Sequence, residues 1–132
     1  QPRNRILEIL DSGSIQNSIS NAEKTKNPRR VEILKTKENI IRGSLLPALE
    51  NEYKAGDDKG REMFNLFDSK SLPEDFRTYI SQVRKERLVK MVEVKKMEFE
   101  EAAEREPKGS SNSQFIFDYI DACDDLIADL EK

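Results

Sequence analysis

The side chains of this sequence that could perform chemistry are carboxylates, one thiol and two clusters of basic residues. Histidine is absent from all 132 residues, and Cys123 is the only cysteine. The absence of histidine removes the usual general base near neutral pH and the commonest transition-metal ligand. Ser-His-Asp and Cys-His catalysis are therefore excluded within this chain, and so are zinc and di-iron sites that depend on histidine.

Four aspartates near the C-terminus have a spacing that could bring them to one metal ion. Side chains three and four residues apart share one face of a helix, as would Asp121, Asp124, Asp125 and Asp129. A single helix presents such carboxylates along one side only, and residues 56–60 lack the spacing of an EF-hand loop. The glutamates of residues 98–106 would need a cleft that separates their pKa values before they could act as acid and base. We therefore predict no metal site, no cofactor and no catalytic residue.

Cys123 lies on a stripe of apolar residues with helical spacing, and aspartates follow it directly. Reactive thiolates need cationic surroundings, so we interpret this cysteine as a small core residue. A lone cysteine and the lack of an apolar run of roughly 20 residues favour a soluble protein in a reducing intracellular compartment, either the cytoplasm or an organelle interior. The chain begins at Gln1 rather than at a methionine, which we interpret as a sign of processing or trimming.

Basic residues are concentrated in two parts of a chain whose formal net charge is −3. We name them the N-terminal basic cluster, residues 24–37, and the central basic cluster, residues 77–96. A polyanion such as RNA could bind either cluster through phosphate contacts, although the net charge provides no global attraction. For the central cluster we favour neutralisation within the fold by the acidic C-terminal segment. Basic residues near a helix start oppose the helix dipole, so the N-terminal cluster could serve an acidic partner.

Apolar residues recur with the 3.6-residue period of a helix along most of the chain. Asn27 followed by Pro28 is a typical helix start, because asparagine caps unpaired N–H groups and proline at the first helical position loses no hydrogen bond. Pro47 lies inside the apolar repeat that follows. A proline there removes a backbone hydrogen bond and collides with the preceding turn. We therefore predict a kink or a break after Gly43 and Ser44.

The second half of the sequence contains signals for two further long helices. Ser71 and Glu74 have the spacing of a capping box, in which each side chain caps the backbone N–H of the other residue. No helix-breaking residue follows until about Arg105, so we predict roughly 30 helical residues, about 45 to 50 Å in length. The sequence leaves open whether the helix over residues 73–105 is continuous. After a linker that contains Pro107, Ser113 is the predicted N-cap of the final helix.

The predicted fold is all-α, an antiparallel helical bundle of three to four main helices with a loosely attached N-terminal arm. Residues 28–132 form its single helical-bundle domain. Residues 1–27 are assigned to the arm, either mobile or folded into short helices, because the polar run before Asn27 offers little for a helix to bury. Short connections are typical of neighbouring helices in such a bundle.

We predict a noncatalytic helical protein-interaction module, an assembly, adaptor or regulatory factor that docks onto another protein. The support is a long helix with an exposed end and an arm too polar to pack by itself. The alternative is binding of RNA or another polyanion through the basic clusters at residues 24–37 and 77–96. The sequence indicates no oligomeric state. Candidate interaction residues are four arginines and three aromatic residues: Arg29, Arg30, Arg84, Arg87, Tyr53, Phe64 and Phe67.

Overall fold

The helical periodicity of the sequence is realised in a computed structural model, which describes residues 3–56 and 63–132. The α-helices in chain order are α1 (Ile6–Asp11), α2 (Ser14–Lys24), α3 (Pro28–Ile40), α4 (Leu46–Ala55), α5 (Glu74–Gln82), α6 (Lys85–Arg105) and α7 (Ser111–Glu131). A π-helical turn, Ile41–Leu45, joins α3 to α4, and a 3-10 turn, Ser69–Ser71, precedes α5. No strand occurs in these two segments, so the described part of the protein is all-α.

Helix α7 lies between α3 and α6 and packs along both of them. Helix α2 packs against α3, while α1 packs against α2 and α5. All seven α-helices of the described segments contribute to one buried apolar cluster. Its fully buried side chains include Ile6, Leu46, Phe76, Leu88 and Leu126. Each such side chain contributes about 1.5–3 kcal/mol when it leaves water, so this cluster is the main stabilising feature of the fold.

The N-terminal segment folds into short helices, one of the two predicted options, but it is not loosely attached, because most of its apolar side chains are buried in the core. Gly13, with a φ of 71°, turns the chain between α1 and α2. Six apolar side chains of the two helices are buried: Ile6, Ile9, Leu10, Ile15, Ile19 and Ala22. Each helix is short, but α5 and α3 supply the opposing surfaces. A few apolar residues are therefore enough to attach this segment, which the local sequence pattern did not reveal.

Pro47 changes the hydrogen bonding of its helix, yet the chain continues from α3 into α4 without a break. The N–H of Leu46 donates to the carbonyl of Ile41, five residues earlier, which is the π-helical pattern. Pro47 itself lies in the first turn of α4, and such a local rearrangement accommodates its ring and its missing N–H. The predicted break after Gly43 and Ser44 does not occur, and a π-helical turn occupies that position instead.

The predicted helix of roughly 30 residues is not continuous, since the backbone leaves helical geometry between α5 and α6. Val83 and Arg84 are extended, with ψ angles of 134° and 139°. The side-chain amide of Asn4 donates to the carbonyls of Ile80 and Val83, at 2.9 and 2.6 Å. Carbonyls at a helix end lack a partner within the helix. A residue 76 positions away from Ile80 therefore stabilises the end of α5.

One of the three predicted helix caps is confirmed. The side chain of Asn27 accepts a hydrogen bond from the N–H three residues later, at the start of α3. The capping box at Ser71 does not form, because its hydroxyl belongs to the 3-10 turn and α5 begins without a side-chain cap. Helix α7 is capped by Ser110, whose hydroxyl accepts from the N–H of Ser113 at 3.0 Å. The predicted cap at Ser113 was therefore placed three residues too late.

Candidate functional site

Two candidate interaction residues of the N-terminal basic cluster lie against the acidic face of α7. Arg29 contacts Asp118 at 3.2 Å and Asp121 at 2.6 Å. Arg30 contacts Asp125 at 2.8 Å. Both arginines are thereby engaged inside the fold, where they join the start of α3 to α7.

Lys37 extends this pairing along the interface between α3 and α7. It is 6% exposed, and its Nζ contacts the carboxylate of Asp129. Burial alone would raise the pKa of Asp129, but the hydrogen bond and the charge of Lys37 outweigh it and hold that pKa below its usual value. The central basic cluster, which we expected to neutralise α7, supplies Lys96, 2.7 Å from Asp124. Helix α7 is therefore neutralised mainly by α3.

The central basic cluster is divided between paired and exposed side chains. Arg87 contacts Glu52 of α4, whose carboxylate also accepts a hydrogen bond from the hydroxyl of Tyr79 at 3.1 Å. Arg84 and Lys90 are exposed and form no ion pair with any residue that the structure describes. These two cations therefore remain available for a ligand or a partner.

An apolar groove with a basic rim lies between α6 on one side and the π-helical turn with α4 on the other. Its volume is about 400 Å³. The side chains that line it are Ser44, Leu45, Ala48, Arg87, Lys90, Met91, Val94 and Lys95. Val94 is 44% exposed there. We call this surface the docking groove.

The periodicity of α6 explains one wall of the docking groove. Arg87, Met91 and Val94 are separated by four and three residues, which places them on one face of the helix. Leu88 and Val92 belong to another face, which is fully buried in the core. The opposite wall includes residues of the π-helical turn, a type of irregularity that is frequent at functional sites.

The aromatic candidates do not share one surface. The ring centroid of Tyr53 is 5.2 Å from that of Phe76, and Phe64 is 4.9 Å from the same ring. Tyr79 completes this group at 5.4 Å from Tyr53. Since Phe76 is fully buried, the rings of Tyr53 and Phe64 pack against the core. Phe67 is 74% exposed and lies outside this aromatic group.

Sequence reasoning missed the apolar residues of the docking groove and a second aromatic group. Met91 and Val94 belong to the apolar repeat of their helix, and periodicity alone cannot tell which part of such a face has a neighbour. In the second group, Phe99 stacks on Tyr119 with ring centroids 3.7 Å apart, and Phe115 lies 6.4 Å from both rings. The only sequence signal for it was the aromatic composition near the start of α7.

Tyr119 connects this second aromatic group to the docking groove. Burial raises the pKa of Tyr119, while a hydrogen bond with Ser44 opposes that rise. Ser44 also lines the docking groove. The second aromatic group therefore adjoins one residue of the groove wall, and its Phe115 is 58% exposed.

Comparison with protein-family models, curated proteins and solved structures finds no significant match to this chain. Within residues 3–56 and 63–132, no group of three or more cysteine and carboxylate side chains is arranged to hold a metal ion. Burial raises the pKa of Cys123 to about 11, so its thiolate is disfavoured near neutral pH. None of the described helices is long and apolar enough to cross a membrane. Function must therefore be inferred from the surfaces of the molecule itself.

Proposed function

We propose that the protein is a noncatalytic helical interaction module that binds an acidic amphipathic helix of another protein in the docking groove. An assembly, adaptor or regulatory role follows from such binding. The observation that carries the proposal is the apolar floor of half-buried Met91 and exposed Val94 beside the basic side chains of Lys90 and Lys95. A helix laid in a groove presents apolar anchors at spacings of three and four residues, which match the spacing of the groove residues on α6.

Charge complementarity determines the kind of partner. Lys90 is exposed and forms no ion pair among the described residues. Lys95 is 3.6 Å from Glu98, a long contact that a stronger acidic ligand could replace. Partner carboxylates beside these lysines would increase the association rate and set the orientation of the bound helix. A basic or purely apolar helix lacks this advantage.

We propose that the antiparallel bundle predicted from the sequence is the frame for this surface. We propose that the helical segment from α3 to α4, together with α6 and α7, acts as its main helices. Their packing keeps the two walls of the groove at a fixed separation. A pre-formed groove binds more tightly because less conformational entropy is lost on association.

A labelled peptide tests the proposal directly. The probe is a fluorescent amphipathic peptide of about 18 residues, or five helical turns, with leucine on one face and glutamate on the other. We expect saturable binding by fluorescence anisotropy. The variant Val94→Asp should weaken it by about tenfold or more, because an aspartate in the groove is costly to desolvate and repels glutamate. The matched control is Phe117→Asp, which changes an equally half-exposed residue on α7.

A charge reversal separates this proposal from the alternative. Lys90→Glu should weaken peptide binding more than Lys35→Glu, which reverses an exposed lysine on α3. Lack of peptide binding, or equal losses for the matched variants, would overturn the proposal. The same proteins are tested with single-stranded RNA at low salt, where tight, salt-sensitive binding without peptide binding would replace our proposal with the polyanion alternative. The pairing of Arg29 and Arg30 with α7 makes us favour the peptide.

A further inference from the structure

A second pocket, at the junction of α5 and α6, contains three arginines. Its volume is about 350 Å³. Basic, amide, phenol and valine side chains line it: Arg3, Tyr79, Gln82, Val83, Arg84 and Arg87. We call it the arginine pocket. Arg87 lies at its boundary with the docking groove, but the other residues of the arginine pocket do not line that groove.

The charge of the arginine pocket exceeds what the described part of the protein neutralises. Arg87 is paired with Glu52. Arg3 and Arg84 are exposed and have no ion pair with any other described residue. Two uncompensated positive charges therefore face a concave surface, and such an arrangement attracts anions from solution.

The backbone around the arginine pocket is held in place before any ligand binds. The N–H of Arg3 donates to the carbonyl of Ser81 at 3.0 Å, and the neighbouring Asn4 is bonded to the end of α5 through Ile80 and Val83. Arg84 stands at the start of α6, where no side chain caps the helix. The positive end of the α6 dipole therefore adds to the potential of the pocket.

We propose that the arginine pocket binds a phosphate monoester. A phosphate monoester carries a charge between −1.5 and −2 near neutral pH, which matches the two uncompensated arginines. Guanidinium groups form paired hydrogen bonds with phosphate oxygens. Tyr79 also lines the pocket, and its hydroxyl donates a hydrogen bond to Glu52 at 3.1 Å. A single carboxylate would leave one of the two arginines without a counter-charge.

The proposal does not depend on the docking of a partner helix, and it is tested with small molecules. The full chain is titrated with inorganic phosphate and, separately, with glycerol phosphate, at constant ionic strength with chloride as the competing anion. Arginine side-chain resonances are followed by NMR. Saturable shifts of Arg3 and Arg84 with both compounds are the expected result. Tighter binding of glycerol phosphate is the result expected for a monoester site, whereas equal or tighter binding of inorganic phosphate would assign the pocket to free phosphate and overturn the monoester as its ligand.

Two variants and one matched control make the test specific. Arg84→Gln and Arg3→Gln should each weaken phosphate binding by about tenfold, because each removes a charge-assisted pair of hydrogen bonds. Arg105→Gln changes an exposed arginine at the other end of α6 and should leave the affinity unchanged. Circular dichroism confirms that the variants remain folded. Shifts that do not saturate, or an equal loss in Arg105→Gln, would overturn the proposal.

Discussion

A buried lysine is tolerated on α3 because an aspartate faces it across the helix interface. Lys37 is almost fully enclosed, and Asp129 supplies both a counter-charge and a hydrogen-bond acceptor. Lys132 also approaches Asp129, at 3.3 Å. An unpaired buried ammonium group would carry a large desolvation cost. The main effect of the Lys37–Asp129 ion pair is therefore to avoid the desolvation cost of an unpaired lysine, and the net electrostatic attraction between the two charges matters less.

Replacement of Asp129 by asparagine should destabilise the protein at pH 7. We expect a loss of about 1–2 kcal/mol in the free energy of unfolding, since the ionic hydrogen bond to Lys37 is lost and the carboxylate is only partly buried. Urea unfolding monitored by circular dichroism measures this loss in the free energy of unfolding. Glu131→Gln removes an exposed carboxylate two residues away and should change the stability little.

The same pair predicts how stability depends on pH. The pKa of Asp129 in the folded protein lies below its ordinary value of 3.8, so the folded state holds this proton less tightly than the unfolded state. Its stabilising contribution is complete above pH 3.8 and is lost as the pH falls through the lower, folded-state pKa. The difference between the wild type and Asp129→Asn should therefore shrink in acid. A difference that stays constant from pH 7 to strong acid would contradict this assignment.

At the scale of the elements, two helix irregularities have different causes. The π-helical turn between α3 and α4 lies next to a proline that is visible in the sequence. The separation of α5 from α6 has no proline or glycine at the junction. There the N-terminal segment donates hydrogen bonds, from the side chain of Asn4 and the N–H of Arg3, to backbone carbonyls at the end of α5. A local signal thus marks the first irregularity, whereas a long-range contact accompanies the second.

Two glycine-to-alanine substitutions should change stability in opposite directions. Gly13, between α1 and α2, has a φ of 71°, a conformation that costs an L-residue roughly 1 kcal/mol. Gly13→Ala should therefore destabilise the protein by about that amount. Gly43 lies in the π-helical turn with nothing within 4 Å of an added Cβ, so Gly43→Ala should stabilise by roughly 0.5 kcal/mol through the lower entropy of the unfolded chain. Thermal unfolding measures the stability change of each variant. If both variants changed stability in the same direction, the explanation from backbone conformation would be refuted.

For the molecule as a whole, α1 and α2 form part of the common core. Ile6 is fully buried, and α1 packs against both α2 and α5. The chain therefore uses its N-terminal segment to hold α5 in place and, through Arg3, to complete the arginine pocket. Removal of this segment would affect a distant part of the structure.

Truncation of Ile6 tests this integration. Ile6→Ala should lower the free energy of unfolding by about 2–5 kcal/mol, because it leaves a cavity in a well-packed core. Phe67→Ala removes a larger but exposed side chain and should have little effect. Chemical denaturation measures both changes. If the segment were loosely attached, Ile6→Ala would be as mild as the control.

The sequence alone determined the local properties of the protein: the helical class, the cap at Asn27 and the irregularity near Pro47. Each follows from neighbouring residues, since helix periodicity and capping act over a few positions. The tertiary structure decided which charges pair, where the second long helix ends and which part of an apolar face stays exposed. These outcomes were not predictable from residue spacing, because each depends on contacts between distant parts of the chain. The ion pairs join α7 to α3, Asn4 donates hydrogen bonds to the end of α5, and the groove beside Val94 depends on how α6 packs against the π-helical turn and α4.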